Sequence, residues 1–178
     1  MNENYDFFLR IGVDGKEEVG KSSLVSKFAE DDFNNGVYKD TLHVYVTTTY
    51  IHLNNYTIKV EFLETGWNLR PNKNYYSYID GAILVYDIND SDGLNGINEL
   101  LFDYSKYVTY KFPMMIIANK CNGNANEIRA DLLQKIKTSV GKEVLFDIAS
   151  INEETSDILN KINKILEGIF IINYINSG

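Results

Sequence analysis

The chain has 178 residues, a length that suits one domain. With 44% hydrophobic and 24% charged residues it has the composition of a folding globular protein, not of a disordered or fibrous one. Its 25 acidic and 17 basic residues leave a formal charge of −8, which disfavours a broad grip on a nucleic-acid polymer, and its one cysteine, Cys121, excludes an internal disulfide or a cysteine-cluster zinc site and points to a reducing compartment.

The start, MNENYDFFLRIGVDG, lacks the basic and apolar regions of a secretory signal, and no apolar run approaches the roughly 18 residues that span a bilayer. The expectation is a soluble, intracellular chain with a single domain over 1–178. The first predicted strand is Phe7–Val13, a short apolar run interrupted by Arg10, and a helical pattern of Leu24, Val25 and Phe28 follows it. Val44–His52 and Thr57–Leu63 read as two strands joined at Asn54 and Asn55, residues that tolerate positive φ, so an antiparallel hairpin is expected. Further strands are predicted at Gly81–Ile88, Met114–Asn119 and Val144–Ala149. Helical spacing appears in Ile128, Leu132, Leu133 and Ile136, and again in Ile158, Leu159, Ile162, Ile165, Leu166 and Ile169. Strands alternating with helices imply right-handed parallel βαβ units, in which ligands bind beyond the carboxyl ends of the strands.

Directly after the first strand stands Gly15-Lys16-Glu17-Glu18-Val19-Gly20-Lys21-Ser22, which fits the pattern G-x-x-x-x-G-K-[ST] between a strand and a helix. The glycines let backbone N–H groups turn inward around phosphates, and the helix N-terminus adds its partial positive charge. Lys21 is expected to reach the β- and γ-phosphates and the Ser22 hydroxyl to ligate Mg²⁺. Glu17 and Glu18 are awkward neighbours for a polyphosphate: at about 6 Å and an effective dielectric near 20 the repulsion is roughly 3 kcal/mol, and only a small fraction of that if they face solvent.

Several segments together resemble the small GTPases of the Ras superfamily, most closely the Rab branch: VGKSSLVSKFAEDDF at 19–33, YIDGAILVYDIND at 78–90 and MMIIANKCN at 114–122. The resemblance covers about residues 7 to 168. It implies an α/β fold, a P-loop NTPase small G domain with a six-stranded, mostly parallel sheet (one antiparallel hairpin edge) flanked by five helices. It also implies GTP or GDP with Mg²⁺ as cofactors. Gly15, Glu18, Val19, Gly20, Lys21, Ser22 and Ser23 would surround the phosphates, Phe33 would stack on the base, and Asn119, Lys120, Asn122 and Ser150 would meet the guanine. Ser22, Thr41 and Glu64 would serve the metal, and Lys21, Gly66 and Asn68 would be the catalytic group.

The family pattern is broken in two places. At the γ-phosphate, D-x-x-G becomes Glu64-Thr65-Gly66-Trp67-Asn68. Glu64 adds a methylene, and either Gly66 follows a one-residue deletion or Trp67 replaces the glycine. The water-positioning glutamine is missing in both alignments; an indole has no acceptor for water and Asn68 is short, so slow intrinsic hydrolysis is expected. At the base, Asn122 stands where the family has aspartate. An amide there sets a donor against a guanine donor at a cost of roughly 1.5 to 3 kcal/mol, so guanine preference should be weakened and xanthine should fit better.

Cys121 reads as a small core-edge residue, and His43 and His52 as surface or switch residues. Trp67 with Tyr75, Tyr76 and Tyr78 forms an aromatic cluster in the second switch, either an effector-binding surface or a patch collapsed onto the body. No prenylation site is present, and the ending Phe170, Ile171, Ile172, Tyr174 allows three accounts: a chain trimmed before its tail, one domain of a longer protein with a second G domain, or a relative that works without an anchor. The functional expectation is a Rab-like GTP-binding switch. It would act in vesicle trafficking or signalling through effector, exchange-factor and activating proteins, cytoplasmic or peripheral on endomembranes through sequence not present here. The alternative is a pseudo-GTPase scaffold without a nucleotide cycle.

Overall fold

The computed structural model describes residues 4–29, 34–39, 42–53, 55–66, 72–108, 112–120, 145–148 and 155–170. Its strands are β1 (Phe7–Asp14), β2 (Asn34–Lys39), β3 (Val44–Leu53), β4 (Tyr56–Thr65), β5 (Gly81–Asp87), β6 (Met114–Asn119) and β7 (Leu145–Ile148). The described helices are α1 (Lys21–Phe28), α2 (Lys73–Tyr78), α3 (Gly93–Tyr107) and α4 (Thr155–Phe170). The strands form one sheet in the order β2-β3-β4-β1-β5-β6-β7. β1 pairs in parallel with β4 and β5, and β6 lies parallel to β5 and β7. β3 and β4 are antiparallel with Leu53 opposite Tyr56, the two-residue hairpin expected at positions 54 and 55.

The sheet carries one strand more than the sequence suggests. Asn34-Asn35-Gly36-Val37-Tyr38-Lys39 has little β-propensity of its own, yet it pairs antiparallel with β3, Val37 opposite Val46 and Lys39 opposite Val44, with a register shift between Asn34 and Val37. The antiparallel side of the sheet is therefore three strands wide. The helical pattern at 128–136 lies outside the described residues.

Period-two alternation sends each central strand to two cores. Ile83 and Val85 of β5, with Leu9, Ile11 and Val13 of β1, face α1 (Leu24, Val25, Phe28) and α4 (Ile162, Ile165, Leu166, Ile169). Ala82, Leu84 and Tyr86 face the other way, onto Tyr75 and Tyr76 of α2 and Ile97, Leu100 and Tyr104 of α3. Each fully buried aliphatic or aromatic side chain contributes on the order of 1.5–3 kcal/mol, so the i, i+3, i+4, i+7 stripe of α4 suffices to dock it. Arg10 is accommodated at the edge of the second core. Its guanidinium lies 4.3 Å from the Phe8 ring centroid and 4.0 Å from that of Tyr78, with Nε 3.5 Å from Glu61 Oε2. Among the described residues no helix is long and apolar enough to cross a membrane.

Candidate functional site

At the carboxyl end of β1 the chain turns at Gly15, where a Cβ would sit 2.2 Å from the Val85 carbonyl oxygen, so the loop starts by pressing its backbone against β5. It ends at Gly20, the N-cap of α1, held at φ 92° with its backbone against the Asn119 amide. No side chain caps this helix, so its first N–H groups keep the capacity to bind an anion. Glu18 adopts φ 59°, a left-handed conformation that costs a residue with a Cβ about 1–2 kcal/mol. The side chains of Glu17 and Glu18 are both exposed, the arrangement in which their repulsion of a phosphate is small.

Lys21 closes the loop on itself: Nζ donates to the carbonyl oxygens of Gly15 at 2.8 Å and Lys16 at 2.7 Å. Burial lowers its pKa, opposed by the charges of Asp14, Glu64 and Glu17. Beside it, Ser22 Oγ donates to Glu64 Oε2 at 2.7 Å, which joins the first turn of α1 to the end of β4. Burial raises the Glu64 carboxyl above its usual range, with the Ser22 hydrogen bond and the Lys21 charge opposing. A hydroxyl and a carboxylate oxygen side by side are hard donors of the kind that suit Mg²⁺. Ser23 is exposed on α1, and Gly66 is exposed just past β4 with nothing within 4 Å of where its Cβ would be.

Asn119 ends β6 in a buried position and donates from Nδ2 to the Val19 carbonyl at 2.8 Å, tying the phosphate loop to the next βα corner. Its Oδ1 is buried without a hydrogen-bond partner among the described residues. Lys120 sits at φ 61° with Nζ 2.9 Å from Asp87 Oδ2. Burial alone would raise the Asp87 carboxyl, but the Lys120 ammonium and the Asn89 donors together hold it below its ordinary value. The structure thus brings together Gly15, Val19, Gly20, Lys21, Ser22, Glu64, Asn119 and Lys120. Phe33, Thr41, Trp67, Asn68, Cys121, Asn122 and Ser150 lie outside the described residues.

Two further ties escaped sequence reasoning. Lys16 Nζ donates to Asp92 Oδ2 at 2.8 Å and Asp90 Oδ2 at 3.3 Å, which anchors the outer side of the loop to the turn before α3. Asp14, immediately before Gly15, is fully buried among hydroxyls; the only signal was a carboxylate at the end of an otherwise apolar strand. Of the two accounts of the aromatic cluster, collapse onto the body fits Tyr75 and Tyr76: both are buried, and the Tyr76 ring lies 4.8 Å from Tyr104 and 4.9 Å from Tyr107.

A family model described as the Ras family matches residues 10–169. The chain is 30% identical over 125 residues to the GTP-binding protein YPT1 of Saccharomyces cerevisiae, covering 68% of this chain and 60% of that protein. It is 32% identical over 124 residues to the Ras-related protein Rab-1C of Dictyostelium discoideum (68% and 61%), and 28% identical over 131 residues to the Ras-related protein RIC1 of Oryza sativa (72% and 64%). The matched region spans less than two thirds of the length of these curated relatives.

Proposed function

Because the chain belongs to the Ras family, with Rab-like and Ypt-like relatives, we propose that it is a guanine-nucleotide switch that binds GTP and GDP with Mg²⁺. The observation that carries this reading is the paired arrangement at the start of α1, Lys21 spanning the mouth of a glycine-turned loop and Ser22 against Glu64. In binding, Lys21 would exchange two carbonyl acceptors for phosphate oxygens, a charge-assisted gain in a partly desolvated place. Ser22 and Glu64 would part to hold Mg²⁺, whose role when bound is to neutralise charge on the phosphates. The extra methylene would let the Glu64 carboxylate shift through its own side-chain torsions. Asn119, its Oδ1 still unpaired, would orient the loop at the base end.

Hydrolysis is proposed to be slow, since an indole at Trp67 has no acceptor for water and Asn68 is shorter than the family's glutamine, and guanine preference is proposed to be weakened by Asn122. By analogy with its relatives, the switch would work in vesicle trafficking through effectors, exchange factors and activating proteins. The scaffold reading draws on one specific feature, the direct Ser22–Glu64 hydrogen bond, which satisfies both groups without a metal. Denaturing the purified protein and identifying released nucleotide by chromatography separates the two. Near-stoichiometric GDP or GTP supports the switch, whereas an empty protein that also fails to take up GTP with Mg²⁺ refutes it.

A further inference from the structure

An exposed ion pair contributes little to stability, so a lysine held by two carboxylates beside a binding loop has its use in position. Lys16 Nζ donates to Asp92 Oδ2 at 2.8 Å and to Asp90 Oδ2 at 3.3 Å, with the Asp92 carbonyl oxygen at 3.4 Å. The stem reaches them across α3 at Gly96, where a Cβ would stand 2.9 Å from Lys16 Cε. The Lys16 carbonyl meanwhile accepts from Lys21 Nζ at 2.7 Å, so side chain and backbone are fixed to different partners. Three residues on, the Val19 carbonyl is held by Asn119 Nδ2 at 2.8 Å. Glu17 and Glu18 therefore form a two-residue span between two pinned points. Both side chains are exposed there, and Glu18 holds φ 59°.

The direction of that span matters because of Lys21, on whose ammonium the charge of Glu17 already acts. A carboxylate that swings toward this ammonium takes the place a phosphate oxygen would occupy, and the loop then carries its own competing anion. We infer that Lys16 is a positioning residue: its tie to Asp90 and Asp92 keeps the Glu17–Glu18 turn from closing on Lys21 and so keeps the loop open to a phosphate. The effect on affinity rests on the proposed nucleotide binding; the restraint on the turn does not.

GDP titration and hydrogen–deuterium exchange of the stripped, purified protein test this. Lys16→Met keeps the stem across Gly96 and removes the tie, and should weaken GDP binding by about two- to fivefold, the factor an exposed ion pair supplies to the open population. Replacing both acids, Asp90→Asn with Asp92→Asn, gives the sharper reading. Asparagine keeps the acceptors that the Asp92 N–H and Asn95 Nδ2 use and remains a good N-cap, so the turn before α3 is retained. Losing two negative charges would by Coulomb's law alone strengthen the binding of an anion, whereas losing the tie should weaken it by about two- to fivefold. Glu17→Gln added to either variant should restore the affinity. Without nucleotide, the amides of 17–19 should exchange about two- to fivefold faster in both variants, with α4 amides (Ile162 to Ile169) unchanged. GDP binding that is unchanged or stronger in the double asparagine variant overturns the inference. So does a loss in Lys16→Met that Glu17→Gln leaves in place, or exchange at 17–19 that neither variant alters. If the unaltered protein takes up no GDP, the proposed function fails, while exchange at 17–19 still decides the restraint.

Discussion

Replacing Asn119 with alanine should loosen the phosphate loop by a calculable amount. The amide is 2% exposed and donates to the Val19 carbonyl at 2.8 Å, so its removal deprives a buried acceptor of this donor at about 1–3 kcal/mol. For a chain of this size that lowers the melting temperature by about 2–12 °C, even in nucleotide-free protein. If the untethered loop is released in the free protein and has to be reordered when nucleotide binds, up to that energy is lost from binding instead, which sets an upper limit of about 5- to 140-fold on the loss of GDP affinity. Asn119→Asp should be worse than alanine, since it sets a carboxylate oxygen against the Val19 carbonyl. Gly20 supplies an internal check. A Cβ there would lie 2.3 Å from Asn119 Nδ2 at φ 92°, so Gly20→Ala suffers both a clash and backbone strain. Truncating Asn119 relieves the clash alone, and the double variant should therefore lose less than the sum of the single losses. Calorimetric melting of the stripped proteins and fluorescent-GDP titration measure both quantities. Melting and affinity unchanged in Asn119→Ala, or strict additivity with Gly20→Ala, would refute the tether.

Other outcomes follow from the altered motifs. Asn122 should let XTP bind better than GTP, and Asn122→Asp should reverse the order by about tenfold or more; competition titration reads this, and XTP binding equal to or poorer than GTP in the unaltered protein contradicts it. Single-turnover GTP hydrolysis should be slower than in glutamine-bearing relatives, with an equal rate counting against the reading. Glu64 should give opposite pH signs in two assays because burial raises its carboxyl pKa. Its ionised form burdens the metal-free fold, so its contribution to stability improves as pH falls through the raised value toward the ordinary one. Mg²⁺-dependent nucleotide affinity should fall over that same window, as the proton competes with the metal. Glu64→Gln should flatten both profiles, and stability and affinity moving together would refute the assignment.

Much of this was readable before the structure because it rests on local pattern. The strands at β1, β3, β4, β5, β6 and β7 announced themselves as short β-branched runs, and the phosphate loop as two glycines spaced around a Lys-Ser pair before a helix. β2 did not, since Asn34-Asn35-Gly36 carries no strand signal and forms one only against β3. The same limit hid the long-range polar ties. Lys16 to Asp92 and Asp14 to Tyr104 join residues 76 and 90 positions apart, and no spacing rule relates such pairs. Arg10 shows the converse: its presence in a buried strand was visible, but only the fold supplies Glu61, Phe8 and Tyr78 around it.

The acidic surplus of −8 bears on the phosphate site through position and not through its sum. Glu17 and Glu18 face solvent, where a carboxylate about 6 Å from a phosphate charge costs about 0.7 kcal/mol at the dielectric of water, against roughly 3 at a dielectric of 20, and salt reduces it further. Glu64 and Asp14 are the more deeply placed acids, and each acts on Lys21. Burial alone would strip that ammonium of its proton more readily, and the charges of Asp14, Glu64 and Glu17 counter this in a region where Coulomb interactions are weakly screened. Three acids around the loop, Asp14, Glu64 and Glu17, thus favour the charged state of the cation expected to bind the polyphosphate. Neutralising Asp14 would leave Lys21 easier to deprotonate and would deprive the buried Tyr75 and Tyr104 hydroxyls of a charged acceptor, two effects from a single side chain.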